Sequence, residues 1–84
     1  MAKLYGAASA MAEECVVHYV HFEAEQGREV SLFLLNAYIN KMYKKGLDEV
    51  TVRDAAMKAG EKGRILVKYE HRWRGFSLHP NYAT

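Results

Sequence analysis

Between Val30 and Lys45 the apolar side chains Leu32, Leu35, Ile39, Met42 and Tyr43 recur mostly at intervals of three and four, with Asn36, Asn40, Lys41 and Lys44 largely opposite. That spacing follows the turn of an α-helix and predicts one over 30–45, ended by Gly46. A second periodic stretch follows, in which Val52, Ala55, Ala56 and Ala59 share a face. Thr51 and Asp54 have the spacing of a capping box with a shortened acid, and Gly60 can take positive φ, so a capped helix over 51–59 with a turn after it is predicted. From Arg64 the period changes to two: Ile65, Val67, Tyr69, His71 and Trp73 alternate with Leu66, Lys68, Glu70 and Arg72. This is the signature of a strand over 64–73. Gly75 turns it into a second strand, Phe76 to Leu78, and His79-Pro80-Asn81 opens a short tail over 79–84.

The N-terminal third carries two signals that disagree. Lys3 to Glu14 is rich in Ala and reads as helix, whereas Val16 to Phe22 is a run of β-branched, aromatic and imidazole side chains that favour strands. A continuous helix from Lys3 to Glu25 would instead gather Glu14, His18, His21 and Glu25 into one narrow polar stripe. The reading adopted is a helix over 3–14 that gives way near Cys15 to a strand over 15–23, with Glu25-Gln26-Gly27-Arg28 as a turn. The whole chain, 1–84, is then a single α+β domain of about three helices and a small antiparallel sheet that includes 64–73.

Composition fits one modest core: 84 residues, half of them apolar, with one proline. Ten Tyr, Phe and Trp side chains are many for this size and place some rings in an interface. The lone Cys15 cannot form an internal disulfide, and its reading is a small buried hydrophobe in a reducing compartment. Met1 to Ala12 imitates a secretory signal, but its apolar run is too short and weak. No stretch approaches the roughly 20 apolar residues of a membrane span, so a cytoplasmic protein is expected.

The net charge of +2 conceals an asymmetry. Residues 1–40 carry two cations, Lys3 and Arg28, against five glutamates, a net of −3. Residues 41–74 carry ten Lys and Arg against five acids, a net of +5. Such a chain could set a positive face on a phosphate backbone or on an acidic protein.

From Leu34-Leu35-Asn36-Ala37 through Lys44 to Ala56, then Ala59-Gly60, and on to Leu66 and Tyr69, the chain resembles the DNA-binding segment of TetR-type repressors. The resemblance covers residues 34–69. It implies that a small residue at Ala56 lets two helices cross, that Gly60 makes the turn, and that a second helix over 62–70 enters the major groove. Glu61 stands where that family places an apolar residue, no Ser or Thr caps a helix after Gly60, and the ligand-binding domain of the family is missing. The alternating pattern of 64–73 competes with that helix unless the segment serves as the strand of a wing.

The candidate binding surface is the basic and aromatic set Arg53, Lys58, Lys62, Arg64, Lys68, Arg72, Trp73 and Arg74. Guanidinium forks match phosphate or carboxylate, and an indole stacks on a base or fills a pocket. On the strand reading Lys68 and Arg72 join Arg64 and Arg74 in a positive stripe. Cys15-x-x-His18-x-x-His21, with Glu14 and Glu25 nearby, holds zinc- or iron-ligand types, but a strand would point the two histidines to opposite faces, and the expectation is no metal and no cofactor. No paired acids, phosphate loop or nucleophile with a base is recognisable, and no enzyme is expected. The expectation is a small nucleic-acid-binding protein, a helix-turn-helix-like DNA-binding regulator that homodimerises through its apolar N-terminal segment. The alternative is a protein–protein module, an inhibitor or adaptor of a larger complex with an acidic surface, including one that handles nucleic acid.

Overall fold

The computed structural model describes residues 2–42 and 48–82, with side-chain placements for 11–41 and 48–82. The end of the helix expected over 30–45, its stop at Gly46 and the apolar side chains before Met11 lie outside those residues. The expected α+β architecture is observed: α1 (Ala2–Glu25), β1 (Val30–Ser31), α2 (Leu32–Met42), α3 (Glu49–Glu61), β2 (Ile65–Glu70) and β3 (Gly75–Pro80).

α1 is one continuous helix of 24 residues, so no strand exists over 15–23. Helical periodicity prevailed over propensity because Ala12, Val16 and Val20, four residues apart, are fully buried. The helix propensity of a β-branched residue costs only tenths of a kcal/mol, whereas burying a valine side chain contributes roughly 1.5–3 kcal/mol. Along the polar stripe that a continuous helix makes, Glu14, His18 and Glu25 are exposed and His21 is half-buried.

The next element begins later than its hydrophobic pattern predicted. Val30 and Ser31 pair with Leu78 and Ser77 as β1, and the Ser31 Oγ accepts the Leu34 N–H at 3.1 Å, which makes Ser31 both the end of a strand and the cap of α2. α3 starts two residues earlier than predicted. Its N-cap is Asp48, whose carboxylate accepts the Val50 N–H at 3.1 Å, and Thr51 lies inside the first turn. Gly60 is helical and makes no turn. The left-handed residue is Gly63, φ +73°, where Gly63 N–H bonds the Gly60 carbonyl and Arg64 N–H bonds the Ala59 carbonyl in a Schellman closure. Gly60 is needed for approach instead, since a Cβ there would meet Val67 Cγ2 at 2.9 Å.

β2 and β3 form an antiparallel hairpin, and β1 pairs with the far side of β3, giving the order β1-β3-β2. The strand predicted over 64–73 stops at Glu70, because His71 to Arg74 form the hairpin turn; the strand predicted over 76–78 extends from 75 to 80. Residues 65–70, where the repressor resemblance implies a second helix, are strand. Their two-residue alternation is satisfied by pairing Ile65 to Glu70 with Pro80 to Gly75. The three helices pack on one face of the sheet around Val16, Val20, Leu35, Ile39, Val52, Ala56, Ile65 and Leu78. Tyr19 of α1 stacks on Tyr38 of α2, ring centroids 4.0 Å apart.

Candidate functional site

Three elements converge beyond the edge of the core. Phe33 and Asn36 come from α2, Glu49, Val52 and Arg53 from α3, and Tyr69, Trp73, Arg74 and Phe76 from the hairpin; together they line a cavity of about 320 Å³. The strand pleat explains why the hairpin contributes rings. Ile65 and Val67 face the helices, so Tyr69 faces the same way, opposite Phe76, with the rings edge-to-face and centroids 5.8 Å apart. The core ends before they do, and Tyr69 is 61% exposed, as is Phe33 at 79%.

The turn that joins the strands sets the outer wall. Trp73 N–H bonds the Glu70 carbonyl at 3.2 Å, Arg74 N–H bonds the His71 carbonyl at 3.0 Å, and Arg74 takes φ +51°, a left-handed conformation in a residue that carries a Cβ. The Arg72 guanidinium lies 5.1 Å from the Trp73 ring centroid. Trp73 Nε1 is buried and has no hydrogen-bond partner.

The eight basic and aromatic residues singled out by the sequence divide into two groups. Arg53, Trp73 and Arg74 meet at the groove, and Lys58 lies further along the exposed stripe of α3 with Val50, Asp54 and Glu61. Lys68 is exposed on the opposite face of β2 from Tyr69. Lys62, Arg64 and Arg72 are engaged with acids. Lys62 Nζ lies 3.0 Å from Glu13, Arg64 Nη1 lies 2.8 Å from Glu13 and 2.7 Å from Glu14, and Arg72 pairs with Glu29 and, at 3.7 Å, with Glu70. The stripe of Arg64, Lys68, Arg72 and Arg74 expected from the strand reading therefore does not form. Arg72 and Arg74 sit in a turn, and Arg64 precedes the strand. No ion pair engages Arg53, Lys58, Lys68 or Arg74 among the described residues.

The engaged group is a structural clamp. Hydrogen bonding from Lys62 holds the Glu13 carboxyl below its ordinary range despite the opposing effect of burial, with Arg64 assisting. Glu14 is lowered by its bonds to Arg64, and the Arg64 guanidinium is raised by Glu14 and Glu13 in turn. Arg64 ties the chain three ways: its N–H closes α3, its carbonyl lies 3.4 Å from His21 Nε2, and its side chain grips α1. His21 is thus occupied by the backbone and by an edge-on contact with Tyr82, while Cys15 and His18 line a separate shallow cavity with Glu14 and Tyr38. Among the described residues no three His, Cys, Asp or Glu side chains are grouped to hold a metal ion.

Phe33, Asn36, Glu49, Tyr69 and Phe76 were not singled out by the sequence. The available signal was the matched placement of Tyr69 and Phe76 on either side of a turn closed by Gly75. No described helix is long and apolar enough to cross a membrane. No family model matches the chain, and neither does any curated protein or solved structure.

Proposed function

We propose that this chain binds nucleic acid as a helix-turn-helix with a β-hairpin wing, α2 and α3 forming the helix pair and β2–β3 the wing. The observation that carries the reading is the order helix, strand, helix, helix, hairpin with strands arranged β1-β3-β2. In this reading the helix offered to a major groove is α3, one helix earlier than the repressor resemblance implies. Support at the level of the site comes from the exposed face of α3, where Val50 can meet a thymine methyl, Asp54 can accept from a cytosine amine, and Arg53 and Lys58 can reach phosphates. The excess of cations over acids in residues 41–74 agrees in sign.

The test is a mobility-shift and anisotropy titration with duplex DNA at low salt, using the whole chain and Arg53→Glu. Arg53 is exposed, so the variant should keep its circular-dichroism spectrum while losing binding by about tenfold or more. Absence of any duplex binding by the unaltered chain would retire the reading.

A second reading, a protein-binding module, is favoured by the exposure of Phe33 and Tyr69 beside the groove and by the internal neutralisation of Lys62, Arg64 and Arg72. A partner captured from lysate that survives nuclease treatment, together with no DNA binding, would select it.

A further inference from the structure

We propose that the groove between α3 and the hairpin receives one unstacked nucleobase, so that the preferred ligand is duplex DNA with an extrahelical nucleotide rather than an uninterrupted duplex. The inference rests on the nucleic-acid reading above and extends it from the class of polymer to the feature recognised.

Paired bases present only their edges in a groove, and edges are read by polar forks and small apolar contacts. A wall of aromatic faces serves another purpose, the stacking of bases that have left the helix. Tyr69, Phe76 and Trp73 line the hairpin side of the cavity, and α2 adds Phe33. Tyr69 and Phe76 continue the core-facing side of the hairpin past the last core residue; Phe76 is half-buried, while Tyr69 stays in water unless something planar and apolar covers it.

Size and charge narrow the occupant. A cavity of about 320 Å³ lies at the small end of the range for small-molecule sites and suits a single nucleoside rather than a second protein domain. Arg53 and Arg74 both line it and carry no ion pair among the described residues, which leaves two guanidinium groups for the phosphates on either side of an extruded nucleotide. Glu49 and Asn36 line the same space and can bond the amine and carbonyl edge that an unpaired base exposes. An apolar peptide would cover the rings but would leave both arginines without a counter-charge.

Trp73 is the sole tryptophan, so its emission reports on this groove alone. The experiment titrates the full chain at low salt with three labelled DNAs: a short duplex, the same duplex with a single bulged adenine, and one of its single strands. Anisotropy and tryptophan emission are followed together. The bulged duplex is expected to bind about tenfold more tightly than the intact one and to quench Trp73, which the intact duplex leaves bright. Tyr69→Ser should bring the two duplexes to equal affinity, while Leu66→Ser, on the opposite face of β2, should preserve the preference. Equal affinity for both duplexes without quenching by the bulge overturns the base pocket and leaves the proposed function standing. A single strand bound as tightly as the bulged duplex, with the same quench, overturns the duplex context. No binding of any of the three overturns the inference and the function beneath it together.

Discussion

Gly60 illustrates how one missing methyl group sets the distance between a helix and a strand. In an open helix Gly→Ala would gain up to about 1 kcal/mol of helix propensity. Here the new Cβ would lie 2.9 Å from Val67 Cγ2, on a β-branched side chain with little rotamer freedom, and overpacking of this kind costs about 1–3 kcal/mol. Gly60→Ala is therefore expected to destabilise the protein by about 1 kcal/mol in urea denaturation. In the Val67→Ala background the same substitution should be neutral or stabilising, a coupling that a double-mutant cycle resolves. Equal effects in the two backgrounds would mean that Val67 is not the obstacle. The sequence marked Gly60 as special but assigned it the wrong task. Gly60 and Gly63 stand three apart at the end of one helix, and which of them takes positive φ depends on a strand that local pattern cannot position.

At the scale of elements, α1 is fastened to the α3–β2 junction through Glu13, whose side chain is buried while Lys62 is largely exposed. A carboxyl whose pKa is lowered on folding contributes stability above its ordinary value, near 4.5, and that contribution disappears as pH falls from there through the folded value. Glu13→Gln should cost about 1.5 kcal/mol at neutral pH, the lower end for hydrogen bonds to charged groups. The variant and the unaltered chain should converge in stability as pH falls from 4.5 through the lowered value of the folded state. Urea midpoints measured across that interval check the sign, and parallel curves would contradict it. The charge asymmetry along the chain was legible, but its meaning was not. Acidic and basic halves that look like two poles in sequence are brought face to face, Glu13 and Glu14 against Lys62 and Arg64, and Glu29 against Arg72. The same long-range packing explains α1: Val16 and Val20 read as strand residues until the surface that buries them exists.

For the molecule as a whole, that neutralisation bounds how strongly salt should affect binding. If Arg53, Lys58, Lys68 and Arg74 supply the phosphate contacts, the logarithm of the DNA-binding constant should fall against the logarithm of salt concentration with a slope of about −3.6. Recruitment of Lys62, Arg64 and Arg72 as well would steepen it to about −6 and would require the clamp to open. Binding isotherms at several salt concentrations distinguish the two. The fold class and the α2, α3 and hairpin segments could be read from periodicity, whereas the topology could not, because β1 is a pair of residues, too short to carry any pattern. The groove was only half legible for a related reason: its cations lie in a basic run that the eye finds, while Phe33 and Phe76 are ordinary apolar residues until the fold leaves them at a rim.

Arg64 anchors the hairpin at its root, through the closure of α3, the His21 contact and the grip on two glutamates. The arm that carries the aromatic wall is also braced beyond its root, since β3 pairs with β1 and Arg72 at the tip pairs with Glu29. A ligand that seats there meets a wall already held at its working distance from α3, and little conformational entropy is left to be lost on docking.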